Sequence, residues 1–191
     1  SVYGGKVLTP NLDRLARDGM TFHNAHVTTT VCTPSRYTFL TGRYAGSAYG
    51  PDYLENFPLG QQALPGFNMS LEKDNMNVGS VLAKHGYATG FVGKYHVGND
   101  GEEYRTANRL HDVPKNTPFS RTVNRQQYEN EKRYRELIQQ RGFTWAKNIY
   151  WQNTKAPFES HNPEWTAEAA VEFITKNRNQ PFYLHYCTTL L

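Results

Sequence analysis

Cysteine is scarce in this chain, at 2 of 191 residues. That is too few for a disulfide framework or a structural zinc site. No run of about 18 apolar residues occurs, which excludes a transmembrane helix. The opening "SVYGGKVLTPN" does not read as a secretory leader, since no charged segment is followed by an apolar block. The chain does not open on Met, so it is expected to start inside a longer protein, and compartment cannot be read from it. There are no internal repeats and no low-complexity tract. Strong charge of one sign is absent too. The formal net charge is +4 and the pI about 9.0, at the margin of the nucleic-acid-binding signature, and no nucleic-acid partner is expected.

What is present fits one globular domain: 38% hydrophobic and 20% charged residues, on a chain long enough to bury a core. Charge is unevenly placed. Residues 98–161 hold 11 of the 21 Lys and Arg but 8 of the 17 Asp and Glu. That bias suits an anionic partner, and equally a solvated surface.

"TPNLDRLARDG" predicts a short helix with Thr9 as N-cap, Pro10 at N1, Gly19 as the stop, and Leu12, Leu15 and Ala16 on one face. "MTFHNAHVTTTV" reads as strand or extended chain, with His23 and His26 taken as structural. Thr33 is expected to cap a second helix with Pro34 at N1, ending near Thr41 at Gly42. Residues 45–67 read as a long loop. "NVGSVLAKHGY" is a helix burying Val78, Val81 and Leu82, followed by a short buried strand running out into Lys94 and His96. From 98 to about 130 no period is evident, and residues 98–142 are read as an insertion loop that includes an exposed helix from Asn130. "FTWAKNIYW" alternates like a strand. "NPEWTAEAAVEFITKN" is an amphipathic helix with Trp165, Ala169, Ala170, Phe173 and Ile174 inward, and "QPFYLHYCTTLL" a buried strand containing Cys187. His111, His161 and His185 receive no role. Alternating helices and strands argue for an α/β layered domain. In open sheets of this kind, functional residues gather beyond the carboxyl ends of strands.

The stretch "TTTVCTPSRYTFLTGRY" places Cys32 where extended chain turns into a helix, a setting that favours an anion. A tyrosine-phosphatase loop needs Arg six residues after Cys, whereas Thr38 stands there and Arg36 comes too early. A Cys–His protease is not excluded by spacing, though nothing local looks like a nucleophile elbow. A small buried cysteine at a helix start also stays open.

C-T-P-S-R followed by "LTGR" resembles the first signature of the type I sulfatases, and "GYATGFVGKYH" at 86–96 resembles the second. "TPNLDRLARDGMTFHNAH" is similar to the family's opening helix and strand. The resemblance covers residues 1–97 and, in outline, 143–191. It implies a central mixed sheet with helices on both faces, of the alkaline-phosphatase-like type, present here as one incomplete catalytic domain. It also implies hydrolysis of a sulfate monoester. In that family the cysteine of C-x-P-S-R is oxidised to formylglycine, an aldehyde that hydrates to a gem-diol. A serine would be trapped as a stable sulfate ester, whereas the second hydroxyl of the diol lets sulfate leave.

By resemblance, Cys32 is the precursor of that aldehyde, Pro34 and Arg36 belong to the signal read by a formylglycine-generating enzyme, and Arg36 also holds the diol. Lys94 and His96 would alternate on an extended segment and face one pocket, Lys94 binding a sulfate oxygen and His96 taking a proton. A divalent cation, Ca²⁺ or Mg²⁺, is implied, with the residue derived from Cys32 as one ligand and the other oxygen donors outside this chain. The family resemblance also implies a periplasmic or secreted location. Phe143, Trp145, Tyr150 and Trp151, with nearby Arg and Lys, suit a sulfated carbohydrate. Two alternatives are a phosphonate or phosphate monoester hydrolase on the same scaffold, and a non-catalytic protein that grips sulfated polymer.

Overall fold

The computed structural model describes residues 1–62, 64–66, 68–74, 76–98, 102–114, 117–151, 157–158, 160 and 162–188, without the side chains of 52, 102 and 103. In chain order the elements are α1 (Pro10–Asp18), α2 (Cys32–Thr41), a 3-10 turn (Ala45–Ser47), α3 (Pro51–Asn56), α4 (Val78–Lys84), β1 (Ala88–Lys94), α5 (Glu102–Ala107), α6 (Arg121–Gln140), β2 (Trp145–Tyr150), α7 (Asn162–Asn177) and β3 (Phe182–Cys187). The strands form one sheet in the order β2-β1-β3, and both pairings are parallel. This is the helix-flanked α/β sheet that the alternation of elements predicts.

β1 takes the centre because its sequence, ATGFVGK, carries no charge before Lys94 and can be buried on both faces. On one face Phe91 meets Tyr95 at 5.7 Å and Phe143 at 5.4 Å. Tyr37 and Leu40 of α2 and Ile138 of α6 join them in the main core. On the other face Gly90 leaves room for the Phe173 ring of α7, which a Cβ at Gly90 would approach within 2.7 Å. Burying one such ring stabilises the fold by roughly 1.5–3 kcal/mol.

The β1–β2 ladder slips between Val92 and Gly93, leaving Asn148 without a pairing partner in β1. Asn148 adopts φ 55°, a region that asparagine tolerates better than most residues. Its side chain donates to the Trp165 carbonyl on α7. Just beyond the bulge, the Ile149 N–H donates to Glu131 Oε1 of α6 at 3.0 Å, and Arg135 Nε donates to the same oxygen at 2.6 Å. A buried carboxylate thus anchors β2 to α6 at the point where pairing is interrupted.

Several expectations are corrected. Residues 20–31, read as strand or extended chain, form no strand. Thr9 bonds Asp13 Oδ1 at 2.9 Å in place of a backbone N–H, and α1 buries no residue. Within 45–67 the chain makes a 3-10 turn and α3. The segment 98–142 contains α5 and the whole of α6, which starts at Arg121 with Ser120 Oγ accepting from the Val123 N–H at 3.1 Å. Hydrophobic periodicity misses this start because Val123 is the one buried residue of α6 before Asn130. In α4 the inward residues are Gly79 and Ser80, and Val81 is exposed. In α7 Thr166 is buried and Ile174 exposed. Among the described residues β3 has a strand on one side only; Phe182 and Tyr186 are exposed and His185 is buried. His161 lies outside the described residues.

Candidate active site

Parallel pairing puts the carboxyl ends of all three strands at one end of the sheet, with Lys94 paired to Tyr150 and Gly93 to Cys187. The N-terminus of α2 arrives at the same end. Val31 is extended (φ −92°, ψ 137°) and Cys32 is the first helical residue, so the cysteine sits at the turn from extended chain into helix. Gly42 closes α2 in the left-handed conformation, its N–H donating to the Thr38 carbonyl at 2.8 Å.

Two hydrogen bonds join the helix to the strand end. Thr33 Oγ1 donates to the His96 carbonyl at 3.0 Å, and Arg36 Nη1 donates to the Lys94 carbonyl at 2.9 Å. Thr33 does not cap its own helix; its hydroxyl is spent on a contact 63 residues downstream. β1 ends at Lys94, and the Tyr95 N–H still donates to the Tyr150 carbonyl at 2.9 Å.

Lys94 and His96 are both buried. Burial holds the Lys94 ammonium below its ordinary value; the Cys32 sulfur opposes that shift, Arg36 adds to it, and Cys187 opposes it. Burial raises the Cys187 thiol, against the Arg36 guanidinium that hydrogen-bonds it and the Lys94 charge. Cys32, Arg36, Lys94 and Cys187 therefore form one electrostatic cluster. Two basic side chains beside a sulfur at a helix start suit an anion.

His96 departs from the extended alternation expected for it. Its φ is 40°, so the chain turns there, and its ring lies 5.9 Å from Trp151 in an edge-to-face arrangement. Gly93, at φ 91°, passes so close to β3 that a Cβ would lie 2.1 Å from the Cys187 carbonyl oxygen. The strand ends are held together by absence of a side chain.

Sequence reasoning missed Cys187 and His185. His185 contacts the rings of Phe91 at 4.8 Å and Phe39 at 5.6 Å. Burial, with Arg36 nearby, pushes its pKa down to about 4. Both residues sit at or near the end of β3, the position that an open α/β sheet marks for function; nothing else in the sequence distinguishes them. The four aromatics expected to present a sugar platform are otherwise engaged. Phe143 and Tyr150 are buried, and Trp145 packs on Phe173 at 5.2 Å. Among the described residues no group of three or more His, Cys, Asp or Glu could hold a metal ion. The groups beside Cys32 are cationic, so the donors within this chain do not by themselves fit a Ca²⁺ site.

The fold is an α/β scaffold with a cysteine at a helix start, joined to a strand end by arginine and flanked by a buried lysine. The sulfatase family model matches residues 1–189, and the chain belongs to the sulfatase family. It is 43% identical over 101 residues to the N-acetylgalactosamine-6-O-sulfatase of Bacteroides thetaiotaomicron, covering 51% of this chain and 18% of that protein. It is 39% identical over 90 residues to arylsulfatase A of Homo sapiens, covering 47% and 16%. The chain thus spans less than a fifth of either relative. The crystal structure of Ps i-CgsB superposes with a TM-score of 0.53 at 22% identity, over 97% of this chain and 40% of that one, a likeness of fold.

Proposed function

We propose that the complete protein hydrolyses a sulfate monoester at the end of the sheet where Cys32 meets Lys94. The observation that carries this is the pair of hydrogen bonds from Thr33 and Arg36 to the carbonyls of His96 and Lys94. They join two stretches, each similar to a sulfatase signature, which supports reading them as one site. Cys32 as formylglycine would supply the nucleophilic oxygen that a thiol or serine hydroxyl cannot regenerate. Arg36 holds that oxygen by charge-assisted hydrogen bonds. Lys94 binds a sulfate oxygen as a point charge. His96 exchanges a proton at the oxygen on residue 32. Ca²⁺ or Mg²⁺ belongs to the same proposal, held chiefly by oxygen donors supplied by the rest of the protein. So do a formylglycine-generating enzyme as maturation partner and a periplasmic or secreted location.

The proposed substrate class is a sulfated carbohydrate. Its support is the N-acetylgalactosamine-6-O-sulfatase relative and the basic segment that forms α5 and α6. In that segment Arg105, Arg125, Arg133 and Arg135 are taken up in ion pairs, while Arg109, Arg121 and Lys132 are exposed.

The test is release of sulfate from an aryl sulfate and from sulfated oligosaccharides by the complete, matured protein, with the intact mass of the Cys32 peptide measured in parallel. Lowered mass, with turnover abolished in Cys32→Ala, is expected; wild-type turnover by Cys32→Ala would end the proposal. Oligosaccharide turnover should fall more steeply with salt than aryl sulfate turnover, and an equal response would remove the carbohydrate assignment alone.

A further inference from the structure

We infer that Trp151 is a positioning residue that fixes the imidazole of His96, which rests on the role proposed above for His96. Trp151 follows β2 directly, next to Tyr150, the partner of Lys94. Its indole meets four rings from separate parts of the chain. His96 lies at 5.9 Å and 77°, Tyr95 at 5.9 Å and 67°, Tyr104 of α5 at 5.9 Å and 41°, and Tyr134 of α6 at 5.3 Å and 23°.

These contacts have a direction. Stacking on Tyr134 sets the plane of the indole from the α6 side, and the edge-to-face contact passes that orientation to His96. His96 needs such support because its backbone is in the left-handed region at φ 40°, which residues with a Cβ seldom adopt. Thr33 holds the carbonyl of His96 at 3.0 Å; that bond acts on the backbone, whereas the edge-to-face contact with Trp151 acts on the ring. Trp151 fixes the ring. The chain leaving His96 is fitted to the same indole: at Gly98 (φ 147°) a Cβ would lie 2.8 Å from Trp151 Cη2 and 3.1 Å from Tyr104 Oη. A proton-transfer group must sit within hydrogen-bond reach of its partner atom, and misplacement by about 1 Å can cost on the order of 10²-fold in rate.

The experiment uses the complete, matured protein with Trp151→Leu, Trp151→Phe and His96→Ala. Trp151→Leu should lower kcat about tenfold or more while KM stays within about twofold. Trp151→Phe, which keeps a ring, should recover most of that loss. The His96 Cε1–H proton resonance should move in Trp151→Leu, because the indole ring current is removed, and move less in Trp151→Phe. An unmoved resonance, or a kcat loss that phenylalanine does not rescue, overturns the inference. If Trp151→Leu does not fold, the resonance and kcat of Trp151→Phe decide: both at wild-type values overturn it. Wild-type turnover by His96→Ala marks a different failure, that of the role proposed for His96, and is distinguished because the resonance would still report whether Trp151 orients the ring.

Discussion

Arg36 on α2 donates from Nη1 to the main-chain oxygen of Lys94 at 2.9 Å, across 58 residues of sequence. The Arg36 charge also acts on the Cys187 thiol at the end of β3, holding it down against burial. One side chain therefore joins the start of α2 to the end of the central strand. Arg36→Lys keeps the charge but not the planar fork. It should lower kcat/KM by on the order of 10²-fold, as loss of a preorganised donor does, measured on protein whose Cys32 peptide mass equals that of the wild type. Wild-type kcat/KM would show that the fork is dispensable.

Thr33 is fully buried, and its hydroxyl serves the His96 carbonyl. Thr33→Val is nearly isosteric and strands that acceptor. The expected cost is about 1–3 kcal/mol, read as a lower urea midpoint with an unchanged slope. Thr33→Ser keeps the hydroxyl and should recover most of the loss. Equal stability of the valine and wild-type proteins would show that water replaces the threonine.

His185 gives the fold an acid limit. Its pKa falls from 6.5 to about 4 in the folded state because burial penalises the charged ring, with Arg36 acting the same way. Between those values the unfolded chain binds the proton and the folded one does not. Stability is therefore full above about pH 6.5 and is lost as pH falls toward 4, by up to about 3 kcal/mol. In His185→Gln that part of the acid sensitivity should vanish. Parallel stability–pH curves for the two proteins between pH 7 and 4 would refute it.

Gly93 marks the closest approach of β1 and β3. At φ 91°, with a Cβ placed 2.1 Å from the Cys187 carbonyl oxygen, Gly93→Ala must part the strands. A loss on the order of 2–4 kcal/mol is expected, together with reduced turnover because Lys94 follows directly. Thermal unfolding of the variant measures it, and a Tm equal to that of wild type would contradict the geometry.

Glu131 is nearly inaccessible and carries both Arg135 and the Ile149 N–H. Removing the cation should hurt more than neutralising the acid. Arg135→Met leaves a buried carboxylate without its counter-charge, at a cost of roughly 3–5 kcal/mol, whereas Glu131→Gln keeps an acceptor for Ile149. The reverse order in denaturant unfolding would mean that solvent reaches Glu131.

What the sequence by itself determined is local and periodic. The Pro10 start and Gly19 end of α1, the Gly42 stop of α2, and the apolar run of β1 follow from backbone preferences that each residue carries alone. So does the placement of Cys32 at a helix start, and its spacing to Arg36 within one turn. Tertiary structure decided the rest. It left residues 20–31 outside the sheet and built the first half of α6 on a single buried apolar residue, Val123. It moved the Thr33 hydroxyl from its own helix end to His96, and turned His96 out of the strand onto Trp151. Each of these depends on which distant atom arrives as partner, and a hydrogen bond between residues 58 or 63 apart leaves no period in the sequence to read.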